Sequence, residues 1–317
     1  MTAVSSSQAK GRGFGVFCVL GASVLWGTTG TAATFAPQVS PLAIGAAAMG
    51  IGGLLQMLLA VRNISVDRGR LREHWMLVLI GAVAVAIYPL AFYSSMHIAG
   101  VTIGTVITIG SAPLLSAIIE RIFDGKHLTA RWTLGAALGL IGTVFLCVAK
   151  ARGHADSSVH ASLVQGVLGV VLGVVAGATY ALYSWTAHRL MRKGISSGAA
   201  MGTTFGLGGL LLIPVLLVNG ASLLQSWNNA AVGLYMILVP MFLGYILFGM
   251  GLSHVAATTA TTLSLIEPVV AAVLAVAIVG ERLPLLGWIG AALIVCCLYV
   301  LVSQPHAQEG GTKAQHA

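Results

Sequence analysis

The chain has 317 residues, of which 57% are apolar and only 8% charged, and its formal net charge is +8. Soluble domains carry roughly 25% charged residues, so too few are present here to cover a water-facing surface. With a mean hydropathy of +0.95, most of the exterior must face lipid, which excludes an ordinary soluble enzyme or binding module.

Apolar stretches of about the 20 residues needed to cross a bilayer run near 14–36, 41–61, 75–96, 100–122, 132–149, 164–188, 198–219, 231–253, 256–279 and 285–302. They predict an all-α membrane protein of ten transmembrane helices. The first stretch follows Lys10 and Arg12 as a signal peptide would. Its apolar run exceeds the roughly 7–15 residues of a signal, so a retained helix is expected. Residues 1–13 read as a cytoplasmic tail, 150–163 as a periplasmic linker between halves, and 304–317 as a disordered cytoplasmic tail.

The basic residues lie between the hydrophobic segments and not on one face, so the positive charge does not point to nucleic acid. Thirteen of the sixteen Lys and Arg fall on one side of the ten-helix arrangement, leaving Lys150, Arg152 and Arg282 on the other. The positive-inside rule then places both termini in the cytoplasm.

One passage is written twice. An offset of 155 positions lays Pro113 on Pro268, Gly125 on Gly280, Leu128 on Leu283 and the triplet from Gly135 on that from Gly290. Five helices per copy is an odd number, so the second copy (164–303) is expected to enter the membrane inverted relative to the first (14–149). Such inverted halves, meeting at matched prolines, are the pattern of an alternating-access transporter.

Glu267 is the only acid deep within a span. A carboxylate there costs about 2.5–3.5 kcal/mol, so it should face a cavity or a partner. Pro268 beside it lacks an N–H and frees the carbonyl of Ser264. Two readings stay open, a permanent brace for the kink or a group that titrates or touches substrate. Pro113 and Pro268 are expected to break their helices for gating, and Pro214 to bend the seventh.

Hydroxyls flank both prolines. Most should bond their own helices, with Thr108, Ser111 and Ser264 the candidates for a polar pathway. Trp26, Tyr88, Tyr180 and Tyr245 lie deep enough to line a cavity, where a buried polar tip needs a partner. Trp185, near Arg189, is expected to mark a membrane interface. Glycines spaced by four in the fifth, sixth and seventh helices predict close packing, or equally a dimer contact; a monomer is expected, with a dimer as the alternative. Cys18, Cys147, Cys296 and Cys297 sit in apolar segments without metal spacing, and His97 and His254 read as interfacial. No cofactor and no metal are expected.

These features, with Trp26-Gly27, Glu267-Pro268 and Gly280-Glu281-Arg282-Leu283 before Gly290, resemble the drug/metabolite transporter superfamily. Within it the chain is most similar to EamA-domain exporters of bacterial inner membranes. The resemblance spans about residues 14–302; the first repeat departs from it, with Ala112 opposite Glu267 and Lys126 opposite Glu281. It implies a central cavity bordered by helices 1, 3, 4, 6, 8 and 9, opened to each side in turn. Similar proteins export aromatic and other amino acids, which makes an amino acid the expected small-molecule substrate and the lipid bilayer the expected surroundings. Export of a drug-like compound or another metabolite is the alternative. A membrane enzyme would need clustered acids or a Ser/His pair at membrane depth, which the sequence does not supply.

Overall fold

A computed structural model describes residues 2–99, 101–153, 163–280 and 282–302, with side chains over 11–99, 104–149, 164–280 and 282–302. All regular structure among the described residues is helical. Ten stretches are long and apolar enough to cross a membrane. They are α1 (Gly11–Thr34), α2 (Pro41–Leu59), α3 (Trp75–Ala99), α4 (Gly104–Asp124), α5 (Ala130–Ala149), α6 (Val164–Arg192), α7 (Ser197–Leu224), α8 (Trp227–Leu252), α9 (Ala257–Val279) and α10 (Leu285–Val302). The helix containing α1 begins at Thr2, so the expected N-terminal tail is helical. Most of the linker, the tail from 304 and Glu281 lie outside the described residues.

Local chemistry sets the helix ends. Ser40 accepts from the Ala43 N–H at 3.1 Å to start α2, and Ser226 accepts from Asn229 at 3.1 Å to start α8. Gly125 and Gly280, the pair matched by the sequence repeat, follow α4 and α9 with φ of 65° and 80°. Both take the left-handed conformation that a side chain would resist.

The helix ends gather into two groups. At one end Arg12 donates to the Leu301 carbonyl (3.3 Å), Arg70 to Gly194 (2.9 Å) and Arg131 to Val300 (2.9 Å). At the other, Ser95 donates to the Gly169 carbonyl at 2.7 Å and Asn228 to that of Phe35. Of the Lys and Arg with described side chains, only Arg282 stands at this second end. The main packing pairs are α2 with α7, α5 with α10, α3 with α6, α1 with α8, α4 with α6, α3 with α7, α1 with α9 and α2 with α8.

Two expectations change here. The glycine faces are occupied within the chain, Gly169, Gly173 and Gly177 by Ala99, Ile107 and Thr108, and Gly202 and Gly206 by Ala60 and Met57. Small residues let these backbones approach each other, so none of those faces is left over for a dimer. Trp185 stands at the charge-rich helix ends but is buried there and does not face outward, its indole N–H donating to Asp124 at 2.8 Å.

The prolines behave differently from one another. The α-helix continues through Pro113 in α4 and through Pro214 in α7, where Pro214 is exposed. In α9 the regular helix stops at Leu263, a 3₁₀ turn covers Ser264–Ile266, and a new helix starts at Glu267 with Pro268 in its first turn. The carbonyl of Ser264 that Pro268 leaves without a partner accepts the Glu267 N–H instead. A second irregularity, not read from the sequence, is a π-helical segment at Ile237–Leu243 around Pro240 in α8.

Candidate functional site: a mid-depth aromatic cavity

The irregular turns of α8 and α9 shape a cavity in the middle of the bundle. Trp26 of α1 donates its indole N–H to the Pro240 carbonyl at 2.9 Å, and Gln56 of α2 donates to Met241 at 3.3 Å. Carbonyls displaced by the π segment thus find side-chain partners, as backbone in a dry interior must. Gly27 allows the next contact: a Cβ there would lie 2.6 Å from Val270 and 2.9 Å from the Glu267 carbonyl. So α1 presses directly on the break in α9 and fixes where Glu267 stands, at the eleventh residue of that 23-residue span.

The cavity wall comprises Trp26, Thr29, Gly45, Ala48, Met49, Tyr88, Pro89, Phe92, Tyr93, Ile109, Tyr180, Tyr183, Met241, Tyr245 and Glu267. These come from α1, α2, α3, α4, α6, α8 and α9, so α2 joins the six helices that the resemblance implied. The cavity has a volume of about 40 Å³, and about 570 Å³ of atom-free space when its open mouth is included. That is room for no more than a few waters, so a larger solute requires the walls to part.

Hydrogen bonding sorts the wall. Tyr180 donates to Ser264 at 2.9 Å, and the Tyr183 and Tyr245 hydroxyls bond each other at 2.9 Å. Thr29 donates back to the Trp26 carbonyl at 2.7 Å. The Tyr88 and Tyr93 hydroxyls and the Glu267 carboxyl have no hydrogen-bond partner among the described residues.

Of the sequence candidates, Trp26, Tyr88, Tyr180, Tyr245 and Glu267 stand on this wall, whereas Thr108, Ser111 and Ser264 do not. Thr108 is buried and donates to Gly173 at 3.2 Å, and Ser111 donates to the Thr108 carbonyl at 3.3 Å. The Thr108 bond ties α4 to α6, while that of Ser111 stays within α4. Tyr93, Tyr183, Phe92 and Met49 were missed, because in an all-apolar helix no amphipathic pattern separates the cavity face from the lipid face.

Towards the charge-rich end the cavity has a floor of tilted, closely packed rings. Phe205 and Tyr245 lie 4.4 Å apart and Trp26 and Phe248 5.1 Å, with Tyr183, Phe205 and Phe248 fully buried. Beneath it the helix ends are clasped by charge. Asp124 meets Arg189 at 2.7 Å, and the Arg189 guanidinium lies 4.9 Å over the Trp185 ring. Glu120 accepts from the Thr258 hydroxyl at 3.0 Å and pairs with Lys126 at 3.3 Å, joining α4 to the start of α9. The opposite end has neutral closures, such as the 2.7 Å bond between Thr28 and Tyr235. Beside that bond runs an apolar groove bordered by Phe35, Val232, Leu274 and Ile278. Among the described residues, no three His, Cys, Asp or Glu lie close enough to hold a metal.

The sequence pattern of the EamA-like transporter family matches this chain twice, at residues 13–148 and 167–303. The chain belongs to that family. Among its relatives, the uncharacterized transporter YwfM of Bacillus subtilis (strain 168) is 35% identical over 95% of this chain and 97% of its own. A probable terminal-alkyne amino-acid exporter of Streptantibioticus cattleyicolor is 26% identical over 85% of this chain and 90% of its own. A protein of known crystal structure, 20% identical, superposes with a TM-score of 0.72 over 90% of this chain and 95% of that one, a likeness of fold. The EamA match and the ten apolar helices make this a multi-pass membrane transporter.

Proposed function

We propose that the chain exports amino acids, aromatic or of broad range, across a bacterial inner membrane by opening the central cavity to each side in turn. The observation that carries this reading is the unpartnered Glu267 carboxyl among aromatic faces at mid-depth, above a floor closed by rings and ion pairs. A buried carboxyl without a partner is costly, and a solute that supplies one would offset that cost. The amino-acid exporter among the relatives supports the substrate class.

Alternation follows from an inverted pair of five-helix halves, with both termini cytoplasmic. Exchanging each helix for the one five places on maps the main packing pairs onto themselves, α3–α6 onto α8–α1 and α4–α6 onto α9–α1. The left-handed Gly125 and Gly280 at matched helix ends agree with the same symmetry. In this conformer the clasped end is the one rich in Lys and Arg, so the cavity is closed towards the cytoplasm. The alternative, export of drug-like compounds, draws on the apolar groove beside Thr28 and Tyr235.

Saturable uptake of radiolabelled amino acids into proteoliposomes tests the proposal. Glu267→Gln and Glu267→Ala should both lose most uptake if the carboxyl meets substrate. Full activity in Gln with loss only in Ala would reduce Glu267 to a brace, and failure across a broad amino-acid panel would remove the leading substrate.

A further inference from the structure

We infer that the cavity reads its substrate through an ammonium group and offers no charged partner to a carboxylate, so amines and amino compounds without a free acid are favoured over zwitterions. This rests on the reading of the cavity as the transport site. Among the described residues, Glu267 is the one Asp or Glu side chain on the wall, and no Lys, Arg or His stands beside it there. An incoming carboxylate would therefore meet an acid and no cation, and no charged partner on the wall would offset its lost hydration.

The donors are equally one-sided. Trp26 spends its N–H on Pro240, Tyr180 its O–H on Ser264 and Thr29 its O–H on Trp26, while Tyr183 and Tyr245 bond each other. The Tyr88 and Tyr93 hydroxyls and the second proton of the Tyr183–Tyr245 pair remain to donate, all from neutral groups. Faces, by contrast, are plentiful. Trp26 lies 6.3 Å from Tyr180 and 4.8 Å from Tyr245, and Tyr88 lies 5.9 Å from Tyr180. A ring face within about 6 Å attracts an ammonium, most strongly where water is excluded. A carboxyl flanked by such rings is a cation receptor. A zwitterion is accepted by its ammonium, with its carboxylate left to neutral hydroxyls or to water.

The test uses the full chain in proteoliposomes and a matched set sharing one phenyl side chain: phenethylamine, phenylalaninamide, phenylalanine and phenylpropionate. Displacement of radiolabelled phenethylamine gives relative affinities, and uptake of each labelled compound gives transport. The amine and the amide should bind roughly ten-fold more tightly than phenylalanine, and phenylpropionate should not compete. Glu267→Gln should cost the amine roughly ten-fold or more while leaving the neutral phenylpropionamide unchanged; Glu267→Asp, which keeps the charge, should retain part of the affinity. Phenylpropionate binding or moving as well as phenethylamine would overturn the inference and leave the transport reading intact. An unchanged amine affinity in Glu267→Gln would overturn it too, as would binding by none of the four. Uptake of any compound left whole in a variant whose cavity is plugged, such as Gly45→Trp, would overturn the transport reading as well.

Discussion

Replacing Asp124 by Asn should loosen the charge-rich end and shift the protein towards the conformer open there. Asp124 holds Arg189 at 2.7 Å through one oxygen and Trp185 at 2.8 Å through the other, bridging the ends of α4 and α6. Its side chain is 10% exposed and that of Arg189 32%, so the pair lies between the surface and buried limits. Exposed pairs contribute about 0.2–1 kcal/mol, and breaking a buried one costs about 3–5 kcal/mol. Asn keeps an acceptor for one partner but loses the charge, which places the effect at about 1–3 kcal/mol. At about 2 kcal/mol the ratio of closed to open forms moves roughly thirty-fold. Spin labels on the exposed Ile122 and Lys193 would read the separation of α4 and α6 in lipid. A longer-distance population should appear in Asp124→Asn and should recede when the charges are exchanged in Asp124→Arg with Arg189→Asp. A distance distribution identical to wild type, together with unchanged transport, would refute the assignment of this clasp as a gate.

Two further outcomes follow from particular contacts. A Cβ at Gly45 would overlap the Tyr93 ring and approach Pro89 at 3.3 Å. Gly45→Ala should therefore push that ring into the cavity, lower the maximal transport rate and cost about 1–3 kcal/mol by overpacking; a thermal melt and transport rate both equal to wild type would contradict this. At the charge-rich end, Asp67 accepts from the Ser196 N–H at 2.9 Å and hydroxyl at 2.7 Å, joining the α2–α3 and α6–α7 loops. The Ser196 backbone N–H, with its hydroxyl and Arg70 adding to the effect, holds the Asp67 carboxyl below the usual carboxylate range. Its contribution to stability is then present above the ordinary aspartate value of about 4 and is lost as pH falls through the lowered value. The melting temperature of wild type should exceed that of Asp67→Asn by a constant margin at pH 5–7 and converge with it below about pH 4. A margin that persists or widens in acid would contradict the assignment.

The ten spans were legible because lipid imposes length and hydropathy on every crossing helix, and Glu267 stood out because a deep acid is rare. The wall around it was legible only in part. Trp26, Tyr88, Tyr180 and Tyr245 announce themselves by polar tips at depth, but so does Thr108, which faces α6 instead. The difference is a rotation about the helix axis, and an evenly apolar helix carries no record of it. The two matched prolines illustrate a second limit. Pro113 sits in continuous helix while Pro268 follows a 3₁₀ turn, and it is the contact of Gly27 with the Glu267 backbone, far away in sequence, that accompanies the broken one. Glu120 was similarly hidden, since its role depends on Thr258 arriving from the other half.

The central claim is that the space beside Glu267 opens to both faces of the membrane in turn. Thr29→Cys places a thiol on the cavity wall, and Cys296→Ser removes the exposed native cysteine while Cys18, Cys147 and Cys297 stay buried. Labelling by a membrane-impermeant thiol reagent, added to one face at a time in oriented proteoliposomes, reads accessibility directly. The thiol should react from both faces, with Asp124→Asn speeding the reaction from the charge-rich end and slowing it from the other. Reaction from one face alone in both proteins, or rates from the two faces that do not trade against each other, would contradict alternating access through this cavity.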